Sequence, residues 1–247
     1  YFNQSGQNYV AWNWKANGSG STNTAGSITS TVSANTTSGF SVVTYTGNGN
    51  NSTVGHGLGI APSMVIIKSR SAVQVWVVGH SAIGFGNYLL LNTTDASASG
   101  ANVFNSTAPT STVFSLGVGA GANTASATYV AYCFAEVAGY SKFGSYTGNG
   151  STDGPFVFTG FRPAYVLYKG SSTSGGAWDI HDDTRSPSNE AVQTLFANTA
   201  GAEGGVAIDI LSNGFKIRDT SANANSSGVT YIFMAFAENP FKYSLAR

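Results

Sequence analysis

The sequence predicts an all-β fold: two tandem antiparallel β-sandwich modules, jelly-roll or immunoglobulin-like, related by an internal repeat of about 101 residues. Composition is the first reason. Gly (31), Ser (32), Thr (25) and Asn (21) make up 109 of 247 residues, a load of turn formers that long helices do not carry. Aromatic residues still reach 13%, which a disordered polar tract lacks. Self-similarity is the second reason. Thr44-Tyr45-Thr46-Gly47-Asn48-Gly49 recurs as Ser145-Tyr146-Thr147-Gly148-Asn149-Gly150, and Ile60 to Lys68 matches Phe161 to Lys169, both at an offset of 101. Trp76 answers Trp178, Phe114 answers Phe215, and Tyr129 to Glu136 answers Tyr231 to Glu238, at offsets of 101 or 102. So steady an offset marks a duplicated unit.

Taken in order, the chain opens with Tyr9-Val10-Ala11-Trp12-Asn13-Trp14-Lys15-Ala16, a third copy of the motif that closes each module. Residues 1–16 are therefore expected to be the terminal strand of a preceding module, with the chain a fragment of a longer protein. Completion of a sheet in a neighbouring module or subunit is the alternative. Residues 17–25 read as a linker, since 17 of the 21 residues from Asn17 to Thr37 are Gly, Ser, Thr or Asn. Within that stretch Ile28 to Val32 is β-branched enough to pair. Module one is expected over residues 26–138 and module two over 139–247.

Each module begins with a β-branched, aromatic strand such as Phe40 to Thr46, followed by an Asn-Gly turn that tolerates positive φ. Pro62 and Pro163 stand where strands begin, where a missing N–H costs the ladder nothing. Met64 to Lys68 and Tyr165 to Lys169 are almost wholly apolar, as in strands covered on both faces. The closing strand is apolar on both faces too: Val130, Tyr132 and Phe134 on one, Tyr129, Ala131, Cys133 and Ala135 on the other. That places it in the centre of a sheet. Glu190 to Asn198 has apolar residues at helical spacing, but it matches the strand-like Tyr88 to Asn92, so the repeat decides for strand.

Charge narrows the function. Eleven basic and eleven acidic residues cancel, and charged residues are only 9%, so no surface for nucleic acid is expected. Cys133 stands alone, which excludes an internal disulfide framework and a Cys-based zinc cluster; its apolar neighbours make it a core residue. No apolar stretch approaches the roughly 20 residues of a membrane-spanning helix, and Tyr1 to Gln7 lacks the apolar region of a signal peptide. No membrane insertion is expected.

Few groups carry chemistry. His181-Asp182-Asp183 is the densest ionisable cluster, either a metal or carboxylate site or a polar turn after a strand. His56, in a Gly-rich segment with no helix behind it, reads as a turn residue. Lys68 with Glu136, and Lys169 with Glu238, suggest a modest ion pair repeated in both modules. No nucleophile elbow or zinc helix occurs, so neither an enzyme nor a cofactor is expected. Trp76 with His80, and Trp178 with Asp182, pair an aromatic face with a polar group four residues on, as sugar-stacking sites do. The competing reading is a pair of core tryptophans.

The phrases Tyr9 to Ala16, Gly139 to Gly150 and Met234 to Lys242 resemble a repeat family in tailed-phage virion proteins, the tail fibres and related appendages of phages of aquatic bacteria. The resemblance implies a virion location, with assembly in the host cytoplasm and exposure outside it, and a lectin-like or concanavalin-like domain ahead of the modules. It supplies no catalytic residues. The expected function is a non-enzymatic virion structural protein for host-surface attachment. Its expected partners are further copies of itself, as a homo-oligomer such as a trimer, other virion proteins, and a host-surface glycan. Capsid decoration or a purely structural fibre subunit is one alternative, and the carbohydrate-binding module of a secreted bacterial protein is another.

Overall fold

A computed structural model describes residues 4–240, so Phe241 and Lys242 of the last phrase lie outside the described residues. Strand accounts for 38% of the chain and helix for 5%, and every ladder between named strands is antiparallel; the protein is all-β. The first unit contains β1 (Ser21–Asn23), β2 (Ser30–Asn35), β3 (Phe40–Thr46), β4 (Ser52–Gly55), β5 (Met64–Ser69), β6 (Trp76–His80), β7 (Asn87–Leu90), β8 (Ala98–Ser99), β9 (Val113–Leu116) and β10 (Thr128–Phe134). The second contains β11 (Ser141–Thr147), β12 (Phe156–Phe158), β13 (Pro163–Gly170), β14 (Asp179–Asp182), β15 (Leu195–Phe196), β16 (Ile208–Leu211), β17 (Gly214–Ile217) and β18 (Thr230–Ala237).

Each unit has one large and one small sheet. The large sheets run β1-β2-β3-β10-β5-β6-β7-β8 and β11-β18-β13-β14-β15; the small ones are β4-β9 and β12-β17-β16. In both large sheets the last strand of the unit lies between the strand that leads into the Gly-Asn-Gly turn and the strand that begins at or just after the proline. β10 sits between β3 and β5, and β18 between β11 and β13. Glu190 to Asn198 forms no helix: Ala191 bridges to Ile208, and Leu195–Phe196 pairs with β14. The segment read as a linker is partly strand, because Ser21, Thr22 and Asn23 pair with Val32, Thr31 and Ser30. Tyr9 to Ala16, expected as a strand, joins no ladder among the described residues.

Matched interactions recur at the repeat offset. Tyr45 stacks on Tyr129 with ring centroids 5.3 Å apart, and Tyr146 on Tyr231 at 5.0 Å. Fully buried Asn123 and Asn225 then latch the Gly-Asn-Gly turns. The Oδ1 of each accepts from the backbone N–H of Asn48 (2.9 Å) or Asn149 (2.8 Å). The Nδ2 of Asn123 donates to the carbonyls of Asn50 and Gly117, and that of Asn225 to those of Ser151 and Asp219. The turn packs so closely that a Cβ at Gly47 or Gly148 would collide with the carbonyl oxygen of Thr124 or Ser226. This is why the phrase carries glycine there.

Three cores result. One lies inside each sandwich: Val43, Ile67, Tyr129 and Ala131 against Val54 and Phe114 in the first, Tyr168, Tyr231 and Phe233 against Phe215 and Ile217 in the second. The third lies between the two large sheets, where Phe40, Met64, Val78, Leu89 and Phe134 meet Phe143, Leu167, Trp178, Met234 and Phe236. The two large sheets are thus apolar on both faces, and each buries its second face against the other.

The latch is testable. Asn225→Ala removes three side-chain hydrogen bonds to partly buried backbone groups and is expected to lower stability by about 1–3 kcal/mol. Urea unfolding would show it; a change under about 0.5 kcal/mol would refute the role assigned to Asn225.

Candidate functional site

The seam between the large sheets gathers every residue marked for sugar binding, but in a different role. Trp178 is only 1% exposed, and its Nε1 donates to the Leu90 carbonyl across the seam at 3.0 Å. His80 is fully buried, with Nε2 3.1 Å from the Phe233 carbonyl and Nδ1 accepting from the Ala82 N–H at 3.1 Å. Burial pushes its pKa down to about 4, so it is neutral at pH 7. Trp76 is half-buried against the same core, and the Lys68 ammonium sits 5.7 Å from its ring centroid. Neither Trp178 nor His80 can stack on or bind a solvent-borne sugar without opening the seam.

Asp182 is 4% exposed and also engaged. It accepts from Arg185 Nε at 2.7 Å, from the Arg185 N–H at 2.8 Å and from Trp12 Nε1 at 3.1 Å. Burial works to raise its pKa, but the Arg185 hydrogen bonds and charge prevail and hold it below the ordinary value. Arg185 also pairs with Glu203 and lies 5.6 Å from the Trp12 ring.

The His181-Asp182-Asp183 run does not converge on a point. Successive strand residues face opposite ways, so His181 enters the second sandwich, with Nε2 3.0 Å from the Tyr168 hydroxyl, while Asp182 faces Trp12. Asp183, past the strand end, pairs with Arg162 at 3.5 Å. Among the described residues no group of three His, Cys, Asp or Glu side chains could hold a metal. The expected Lys–Glu pairs are replaced too. Glu136 pairs with Lys142 at 2.7 Å and Glu238 with Arg162 at 3.8 Å, while Lys68 donates to the Gln74 carbonyl and buried Lys169 to the Thr94 and Gly170 carbonyls.

Three features escaped the sequence reading. The first is the seat of the strap, Tyr9 to Ala16, whose Trp12 and Trp14 pack edge-on to Tyr165 at 5.7 and 5.4 Å. Together with Phe40, Ile66, Leu91 and Tyr132 they line a groove of ≈ 430 Å³ at the mouth of the seam. The second is a polar lip along the seam. There Ser97 N–H donates to the Ser171 carbonyl at 2.8 Å, Gly175 N–H to that of Thr94 at 2.8 Å, and Asn198 Nδ2 to that of Thr93 at 3.2 Å.

The third is a polar cluster inside the second sandwich. Tyr168, Asp179 and His181 occupy the places that Ile67, Val77 and Gly79 hold in the first, so the repeat alignment itself was the available signal. Asp179 is fully buried, and its Oδ2 and the Nδ1 of His181 have no hydrogen-bond partner. Burial drives Asp179 up to about 7, which the Tyr168 hydroxyl and then Lys169 only partly offset, and drives His181 down to about 3.

Together these features define a two-unit β-sandwich protein with an aromatic-rich internal seam. The chain belongs to the family described as a domain of unknown function, DUF7483, which matches residues 1–240. No curated protein and no solved structure matches it.

The buried carboxyl gives a pH prediction. Because the folded pKa of Asp179 lies above its ordinary 3.8, the stability linked to this group is full below about pH 4 and is lost as pH rises through about 7. Asp179→Asn should therefore raise stability at pH 8 by on the order of 2–4 kcal/mol, seen as a higher Tm, and gain little at pH 4. Thermal unfolding of both proteins at both pH values checks this. An equal Tm difference at pH 4 and 8 would rule out a titrating Asp179.

Proposed function

We propose that the chain is a non-enzymatic structural building block of a tailed-phage virion, a tail-fibre or appendage component that helps present the host-attachment surface. One observation carries this reading: the aromatic and polar residues best suited to a sugar site, Trp178 and His80, are consumed in the seam. Most of the aromatic residues pack in the three cores. With no net charge and an outer surface rich in Ser, Thr and Asn, the protein suits a solvated display role built on side-by-side packing of sandwiches. The resemblance of the Gly139 to Gly150 and Met234 to Lys242 phrases to appendage repeats supports the same reading.

Capsid decoration draws support from the same observation and differs only in where the protein sits. Peptide mass spectrometry of purified particles, with gold-labelled antibody against the chain, separates the cases. The expected result is the chain in the particle with label on the tail or its appendages. Label confined to the head selects decoration. A chain absent from particles and recovered from the culture medium of uninfected bacteria would overturn the virion reading.

A further inference from the structure

The three copies of the closing motif meet at one place. Trp14, Phe134 and Phe236 are equivalent residues of those copies. Their rings touch pairwise, with centroids 5.9 Å apart for Trp14–Phe134, 5.4 Å for Trp14–Phe236 and 6.1 Å for Phe134–Phe236. Two of the copies, β10 and β18, are central strands with a neighbour on each side.

The third copy repeats their side-chain alternation without their pairing. Trp12, Trp14 and Ala16 turn to the seam, while Ala11, Asn13 and Lys15 are exposed. At the places of those exposed residues the other copies carry Ala131, Cys133 and Ala135, and Phe233 and Ala235, all buried inside their own sandwiches. From Val10 to Trp14, no backbone group hydrogen-bonds to backbone among the described residues. Both edges of an extended aromatic segment are therefore open, a template for strand addition.

We propose that Tyr9–Ala16 is the closing strand of a third sandwich of this same repeat, which docks its large sheet on the seam and completes three sheets around the Trp14–Phe134–Phe236 contact. Repeat order says where the body of that sandwich lies. In both described units the strands of the body precede the closing strand, so the third body lies N-terminal to the strap in the same polypeptide. Its sheet would cover the groove lined by Trp12, Leu91 and Tyr132. Its small sheet would cover Ala11 and Asn13, and must offer the Asn13 amide hydrogen-bond partners, since Cys133 and Ala235 need none. The proposal does not depend on the virion reading.

Amide hydrogen exchange tests it. The polypeptide is expressed with the ~100 residues encoded immediately upstream of Tyr1, about one module in length, and compared with the 247-residue chain. The amides of Val10 to Lys15 are expected to exchange at least about tenfold more slowly in the longer polypeptide, as in a central strand. Asn13→Pro should abolish that protection in the longer polypeptide while leaving the Tm of the 247-residue chain unchanged. Equal exchange in both polypeptides would overturn the proposal, as would a reading frame that starts at the strap. A dimeric 247-residue chain with these amides already protected would also overturn it, because a second copy would then close the strap.

Discussion

The constraint on which the rest of this structure depends is that both large sheets are apolar on two faces. A strand such as β18 carries Tyr231, Phe233 and Ala235 on one side and Ile232, Met234 and Phe236 on the other, and all six are buried. The small sheet of each unit covers only the first side. Leaving the second in water would expose a broad apolar patch, which soluble surfaces rarely carry. The two units resolve this together: each serves as the missing layer of the other, and the seam becomes a third core with its own buried Trp178 and Leu89.

Much of the fold was legible because the chain states it twice. The Gly-Asn-Gly turns and the central closing strands follow from alternating side chains and a fixed offset. The latch asparagines also stand 102 positions apart, at Asn123 and Asn225. What the pattern could not show was which layer covers which face. Trp76 and Trp178 occupy matched positions, yet Trp178 is deeply buried while Trp76 stays partly open beneath Lys68. That difference arises from contacts across the seam, such as Trp178 to Leu90, which no local spacing encodes. How the strap sits on the seam was not legible for a related reason. Alternation of Trp12 and Trp14 looks the same whether a segment is hydrogen-bonded into a sheet or laid across one.

The two units, alike in backbone plan, differ in chemistry. The first fills its sandwich with Ile67, Val77 and Gly79; the second places Tyr168, Asp179 and His181 there, at the energetic cost of burying groups that prefer water. His181 stays neutral and hydrogen-bonded to Tyr168, while burial shifts the titration of Asp179 up to about pH 7. The different residues at these matched positions therefore leave the second unit with a pH-dependent stability that Ile67, Val77 and Gly79 of the first cannot supply.

The claim that one seam holds the units together has a direct test, because all four tryptophans, Trp12, Trp14, Trp76 and Trp178, pack on it. Tryptophan fluorescence therefore reports the seam, while far-ultraviolet circular dichroism reports the strands of both sandwiches. In urea, the two signals should fall in a single coincident transition, since neither large sheet keeps its second face covered once the seam opens. Loss of tryptophan signal at a urea concentration where the circular dichroism is intact would contradict this account, showing two sandwiches that stand without each other.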